Sequence, residues 1–262
     1  MLLKIRFYKY QGAGNDFVMI DDRQNRFPVS QKLIEQLCDR HFGIGADGLI
    51  LLQNDEGSDF KMIYFNSDGR QSTMCGNGGR CIVLFAQDLN LIQNQTSFNA
   101  IDGLHEAFLE GENIHLKMTN VSDVQTFESH LFLNTGSPHH VEFVQDVNQI
   151  DVKNTGKQIR YGAPYFEEGS NVNFVQILSE NSLKIRTYER GVEDETLACG
   201  TGITAAAIAA FEAGKINSNE VNVESEGGNL KVRFEKNQSG GFENVWLIGP
   251  AEAVFEGGIN ID

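Results

Sequence analysis

Two cysteines in this chain stand where chemistry is possible: Cys75-Gly76-Asn77-Gly78 and Cys199-Gly200-Thr201-Gly202, each just ahead of a helix-forming stretch. A cysteine so placed faces the unpaired N–H groups and positive dipole end of its helix. These favour the thiolate and make it a base usable at neutral pH. Glycines after it let the backbone approach a ligand, and the same N–H groups form a site for a carboxylate. One such unit could activate a nucleophile, but two suggest proton exchange at a chiral carbon. One group removes the proton from one face, the other returns a proton on the opposite face, and a thiolate and thiol work in either direction. An inert buried thiol is the better reading for Cys38, on an apolar helix face, and for Cys81, six residues into the helix after Cys75.

The elements that must hold these cysteines repeat along the chain. Lys61-Met62-Ile63-Tyr64-Phe65-Asn66 leads to the first cysteine, and Lys184-Ile185-Arg186-Thr187-Tyr188-Glu189-Arg190 leads to the second. Asn66 and Arg190 each stand nine residues before their cysteine, and the cysteines lie nearly half the chain apart. Each half therefore reads as strand, polar loop, Cys-Gly-x-Gly, helix. Alternating apolar residues predict strands at 4–9, 17–22, 49–53 and 60–65, with short strands through 97–118. Further strands are expected at 131–135, 141–144, 173–178, 183–189, 221–225, 230–235 and 245–248. Helices are expected at 31–41, with Ser30 as N-cap, at 76–91 and at 201–213, with Gly214 as C-cap glycine.

Composition narrows the function. The 262 residues are 40% hydrophobic, enough for a sizeable core. The net charge of −15 repels nucleic acid and anionic lipid. No run approaches the roughly 18 apolar residues of a spanning helix, and the start carries no h-region, so the cytoplasm is the expected compartment. Gly43-Ile44-Gly45-Ala46-Asp47-Gly48 fits a dinucleotide fingerprint only formally, because it follows a helix and precedes a strand. It reads as a tight connection. His139-His140 has no metal-ligand spacing to another His or Cys.

Several segments together resemble the diaminopimelate epimerase family. They are Tyr10-Gln11-Gly12-Ala13-Gly14-Asn15-Asp16-Phe17, Phe65-Asn66-Ser67-Asp68-Gly69, Met74-Cys75-Gly76-Asn77-Gly78-Gly79-Arg80-Cys81, Gly136-Ser137-Pro138-His139, Val172-Asn173, Glu189-Arg190-Gly191 and Glu195-Thr196-Leu197-Ala198-Cys199-Gly200-Thr201-Gly202. The resemblance implies interconversion of LL- and meso-2,6-diaminopimelate, a step toward lysine and peptidoglycan, with neither pyridoxal phosphate nor metal. Cys75 and Cys199 would be the acid/base pair. Gly76, Asn77, Gly200 and Thr201 would hold the reacting carboxylate, the groups the helix-terminus argument also selects. Arg190 suits the distal carboxylate, and Asn15, Asn66 and Asn173 can serve either distal group. His139 and Glu189 are implied near the reacting centre.

The expected fold is α+β, with two pseudo-symmetric domains, each a curved β-sheet wrapped around a central helix, and the active site in the cleft between them. The expected halves are 1–118 and 119–250. The resemblance further implies that a last strand, 251–262, returns to the first half and that two chains form a homodimer. Three departures from the family pattern touch fine specificity more than reaction type: Ser137, where many members carry Asn; Gly48, where some carry Gln; and the loop 192–195, one residue longer. The rivals are an epimerase of another amino acid, a non-racemising isomerase on the same fold, and a redox-sensing binding protein.

Overall fold

The computed structural model describes residues 3–261; residues 1, 2 and 262, at the ends of the expected first half, lie outside the described residues. The chain divides into two compact units, one running to Leu116 and resuming at Gly249, the other spanning Lys117–Ile248. In the first unit β1 (Leu3–Gly12) and β2 (Asn15–Asp21) form an antiparallel hairpin, and α1 (Gln31–Cys38) leads to β3 (Gly48–Gln53), parallel to β2. Next, β4 (Phe60–Asn66) runs antiparallel to β3, and the short β5 (Gln71–Ser72) folds back on it. After α2 (Gly76–Asp88), β6 (Gln95–Ala100) pairs parallel with β4 and continues into the antiparallel β7 (Gly103–Glu110) and β8 (Asn113–Lys117).

The second unit repeats this order. After β9 (Val124–Thr126), β10 (Leu131–Asn134) and β11 (Pro138–Phe143) form the hairpin, and α3 (Val152–Tyr161) leads to β12 (Asn171–Ser179), parallel to β11. The antiparallel β13 (Ser182–Glu189) follows, with β14 (Asp194–Thr196) folded back on it. Beyond α4 (Gly200–Glu212), β15 (Glu220–Ser225) pairs parallel with β13 and continues into β16 (Gly228–Lys236) and β17 (Phe242–Gly249). The last strand, β18 (Glu252–Ile261), pairs antiparallel with β1. The internal repeat read from the cysteine motifs is thus a repeat of topology.

The two cysteine-led helices correspond in length and at both ends. Each has 13 residues and a cysteine as N-cap. α4 ends on Gly214 at φ +64°, whose N–H reaches the Phe211 carbonyl while that of Lys215 reaches Ala210. α2 ends the same way with Asn90 at φ +57°, donating to Gln87, while Leu91 donates to Ala86. This is the left-handed helix stop that glycine, then asparagine, tolerates best. α4 is buried along nearly its whole length, packed on β10–β13, β15 and β16, so the sheet wraps it; its alanine-rich sequence follows from having no wet face. Cys81, Ile82, Val83, Phe85 and Ala86 are likewise buried on α2. No helix among the described residues is long and apolar enough to cross a membrane.

Three helices depart clearly from what the sequence predicts. α1 stops at Cys38 rather than 41, because Asp39 leaves helical geometry and its carboxylate takes the His41 and Phe42 N–H groups. α2 stops at Asp88 rather than 91, at the turn already described. α3 was not expected at all: Gly156 interrupts a helical pattern, yet glycine is required there because a Cβ would collide with the Tyr188 side chain. The loop Gly43–Gly48 is the tight connection expected, with the N–H groups of Ile44 and Gly45 on the Leu37 carbonyl.

Gly48, read from sequence as a lost hydrogen-bonding side chain, has no room for one. It pairs with Phe17 and Asn66, and a Cβ would sit 2.5 Å from the Phe65 carbonyl oxygen and 2.6 Å from the Tyr64 ring. Gly48→Gln is therefore expected to destabilise the chain by about 1–3 kcal/mol through overpacking. A urea titration checks this, and an unchanged midpoint would contradict the packing.

Candidate active site

Cys75 caps α2 with extended backbone, φ −98° and ψ 137°, and its Sγ accepts the Gly78 N–H at 3.4 Å. The sulfur therefore sits on the first-turn N–H groups, the setting that stabilises a thiolate. Asn15, at the β1–β2 turn, accepts from Cys75 Sγ (3.6 Å) and from Asn77 Nδ2 (3.4 Å) through one oxygen, Oδ1. Its amide orientation is fixed from behind by Nδ2 donating to Asp47 at 2.6 Å. Asp47 in turn accepts from Arg40 at 2.7 Å. Asp16 is bound by Arg40 and, at 2.7 Å, by the buried Lys9. Burial works against the Asp16 carboxylate, but these two cations outweigh it and hold it well below the usual range.

Asn66 ends β4 with an exposed side chain, so it can meet a ligand only from the rim. The glycines after Cys75 also serve packing. A Cβ at Gly78 would touch Ile50 at 3.1 Å, and one at Gly79 would lie 2.7 Å from Leu116. They let the start of α2 sink against the sheet. The two remaining cysteines are inert: Cys38 and Cys81 are buried, and burial pushes the Cys38 thiol up to about 12 and that of Cys81 higher still.

In the second unit Cys199 caps α4, buried, with Thr201 Oγ1 3.5 Å from its Sγ. Thr201 is fixed by its carbonyl, which accepts from Thr135 at 2.9 Å. Asn173 is fully buried and committed to the protein: Nδ2 donates to the His140 carbonyl (2.9 Å) and faces His139 Nδ1 (3.1 Å), while Oδ1 accepts from Thr187. Gly202 makes room for it, since a Cβ there would lie 2.5 Å from Asn173 Oδ1. Asn173 thus braces the start of α4 and does not present a free amide.

Asn171, two residues earlier on the same face of β12, is the residue sequence reasoning missed. Its Nδ2 donates to Ser137 Oγ at 2.9 Å and its Oδ1 accepts the Arg190 N–H at 2.9 Å. Strand periodicity could have found it, because residues i and i+2 share a face. Arg190 also donates to the Glu168 carbonyl at 3.0 Å and reaches Ser137 at 3.4 Å, and among the described residues it pairs with no carboxylate. Its fork is available to one. Glu189, beside it at the end of β13, accepts from Thr196 at 2.9 Å.

His139 and His140 are buried, and burial pushes both down to about 3, helped by the charge of Arg190 on His139 and of His130 on His140. His139 is therefore neutral at pH 7, and its Nε2 meets no hydrogen-bond partner among the described residues. No group of three or more His, Cys, Asp or Glu side chains among the described residues is arranged to hold a metal ion.

The duplicated fold is one found in solved structures titled as a hydroxyproline epimerase, a probable proline racemase and a methylitaconate isomerase. The chain superposes on a phenazine biosynthesis protein of the PhzF family from Bacillus anthracis with a TM-score of 0.77 at 15% identity, covering 99% of this chain and 100% of that one. A hydroxyproline epimerase from Agrobacterium vitis follows at 0.69 and 12% identity, covering 99% and 93%. The profile of the family described as diaminopimelate epimerase matches residues 7–124 and 131–254, and a relative of that name from Flavobacterium psychrophilum is 58% identical, covering 96% of this chain and 99% of its own length. The chain belongs to the diaminopimelate epimerase family.

Two outcomes follow from this geometry. Asp47→Ala releases the Asn15 amide and is expected to lower kcat/KM by about tenfold, the loss of one charged hydrogen bond; steady-state assay of the purified variant checks this. The histidines give a pH dependence with a definite sign. Their folded values lie below the ordinary 6.5, so the unfolded chain takes up protons first. Their contribution is complete above pH 6.5 and is lost as pH falls toward 3. Melting temperature should drop between pH 7.5 and pH 5, and His140→Gln should flatten that slope; an unaltered slope would contradict the assignment.

Proposed function

We propose that this chain interconverts LL- and meso-2,6-diaminopimelate by transfer of the α-proton between two thiols, Cys75 and Cys199. The observation that carries this reading is that the two cysteines are equivalent positions of a duplicated unit, each the N-cap of a 13-residue helix. Inverting a carbon requires one base on each face, and a duplication supplies two bases of the same kind. As Cα loses its proton, negative charge moves onto the α-carboxylate. The N–H groups of the first turns, at Gly76, Asn77, Gly200 and Thr201, are donors prepared for that charge before it forms. The first cysteine gains the proton, the second gives one up, and the pair is left in the opposite protonation state, ready for the reverse direction.

The distal amino-acid head needs a carboxylate partner and hydrogen bonds of both kinds. Arg190 suits the carboxylate, and Asn171, bonded to Ser137 and to the Arg190 N–H, is assigned beside it in place of Asn173. Asn15 and Asn66 supply the first unit's share. Neutral His139 and Glu189 belong to the amino group's side. A thiol acid/base pair needs a reducing compartment, so a cytoplasmic location is part of the proposal. A homodimer remains part of the proposal.

The test is conversion of LL-diaminopimelate, followed by chiral chromatography, for the parent chain and for Cys75→Ser and Cys199→Ser. Each variant should lose activity by about 10³-fold or more, while Cys38→Ser and Cys81→Ala keep it near the parent value. Full activity in either of the first two would refute the two-thiol mechanism. Turnover of another amino acid with none of diaminopimelate would refute the substrate.

A further inference from the structure

Arg80 is the largest fully buried side chain among the described residues, and it sits in α2 five residues after Cys75. Among the described residues its guanidinium donates to neutral oxygens: Nε to the Pro250 carbonyl (3.3 Å), Nη1 to the Gly76 carbonyl (3.2 Å) and Nη2 to Asn77 Oδ1 (3.0 Å). No carboxylate pairs with it among the described residues. A buried cation without a counter-ion is costly, and arginine does not escape by losing its proton. Burial does weaken its hold on the proton, while the charges of Cys81 and Cys75 strengthen it. Cys81 cannot be the anion it lacks, since burial keeps that thiol protonated.

Two of the three residues Arg80 touches, Gly76 and Asn77, are ones whose N–H groups the proposed function assigns to the reacting carboxylate. Taking Asn77 Oδ1 as acceptor turns the Asn77 amide so that Nδ2 points to Asn15 Oδ1, the same oxygen that receives Cys75 Sγ. Asp47 fixes the other end of this chain of amides. The fold also keeps space for the guanidinium. A Cβ on Gly12 would lie 3.4 Å from Arg80 Nη2, 3.3 Å from Cys81 Sγ and 3.2 Å from the Asn77 carbonyl, although the backbone there is one that other residues adopt.

We propose that Arg80 is a positioning residue for the reaction: its buried guanidinium locks the Asn77 amide and holds a positive countercharge behind the first turn of α2. That charge serves the Cys75 thiolate and the carboxylate the turn receives. The inference rests on the acid/base reading of Cys75, but its test does not require turnover.

In a Cys199→Ser background, labelling of Cys75 by iodoacetamide is followed against pH, at the level of the peptide. Arg80→Gln should move the labelling profile to higher pH by about one pH unit, Arg80→Lys should restore part of the shift, and Gly12→Ala, which leaves every charge in place but crowds the guanidinium, should give a smaller shift in the same direction. With Cys199 intact, Arg80→Gln should lower kcat at least tenfold, with Arg80→Lys in between. A folded Arg80→Gln chain that labels like the parent overturns the proposal. Should that variant not fold, a parent-like profile in Gly12→Ala overturns it equally. If labelling shifts as expected but no chain turns over diaminopimelate, the substrate reading fails and the role of Arg80 stands.

Discussion

The structure turns on what a helix leaves unpaired at its start. The first turns of α2 and α4 carry N–H groups with no partner in the helix, and a cysteine is set on each as the cap. A sulfur is a weak acceptor, so the capping is poor compared with serine or aspartate, and stability is given up for a thiol whose anion those N–H groups favour. Much of the surrounding sequence serves that arrangement. Gly78 and Gly79 draw the start of α2 against the sheet, Gly202 clears space for Asn173 under α4, and β5 and β14 fold back to deliver the chain to each cap.

Duplication supplied two such caps, but the two have diverged. Cys75 accepts a backbone N–H and is tied to Asn15, while Cys199 is more buried, makes no capping bond and lies beside a threonine hydroxyl. The supporting shells differ as well. The first is built from charge, Lys9, Asp16, Arg40 and Asp47 on one side and Arg80 on the other; the second is built from neutral groups, Asn173, His139 and Thr187. The two faces of a stereogenic carbon are not equivalent, so the two halves need not be identical.

The repeat, both cap positions, the inert cysteines and most strands were legible from the sequence, because each rests on local spacing: glycine after cysteine, alternation in strands, alanine before a stop glycine. What was not legible depended on neighbours distant in sequence. Gly156 reads as a helix breaker until Tyr188 is packed on it, and Gly48 reads as a missing side chain until Phe65 and Tyr64 fill its space. Asn171 and Asn173 are indistinguishable as loop-edge asparagines, and both are buried, until their hydrogen bonds tie one to Ser137 and Arg190 and the other to His139, His140 and Thr187. Asp47, hidden in a decoy glycine motif, gained meaning only from its hydrogen bond to Asn15.

The two-base claim is tested most directly by the fate of the solvent hydron. LL-diaminopimelate is incubated in heavy water for a small fraction of one conversion, and product and recovered substrate are separated and analysed by mass. Two thiols acting from opposite faces predict meso product carrying one deuterium at the inverted carbon, with recovered substrate essentially unlabelled. Product that retains the original proton, or substrate labelled as fast as product forms, would mean that one base serves both faces and would contradict the mechanism.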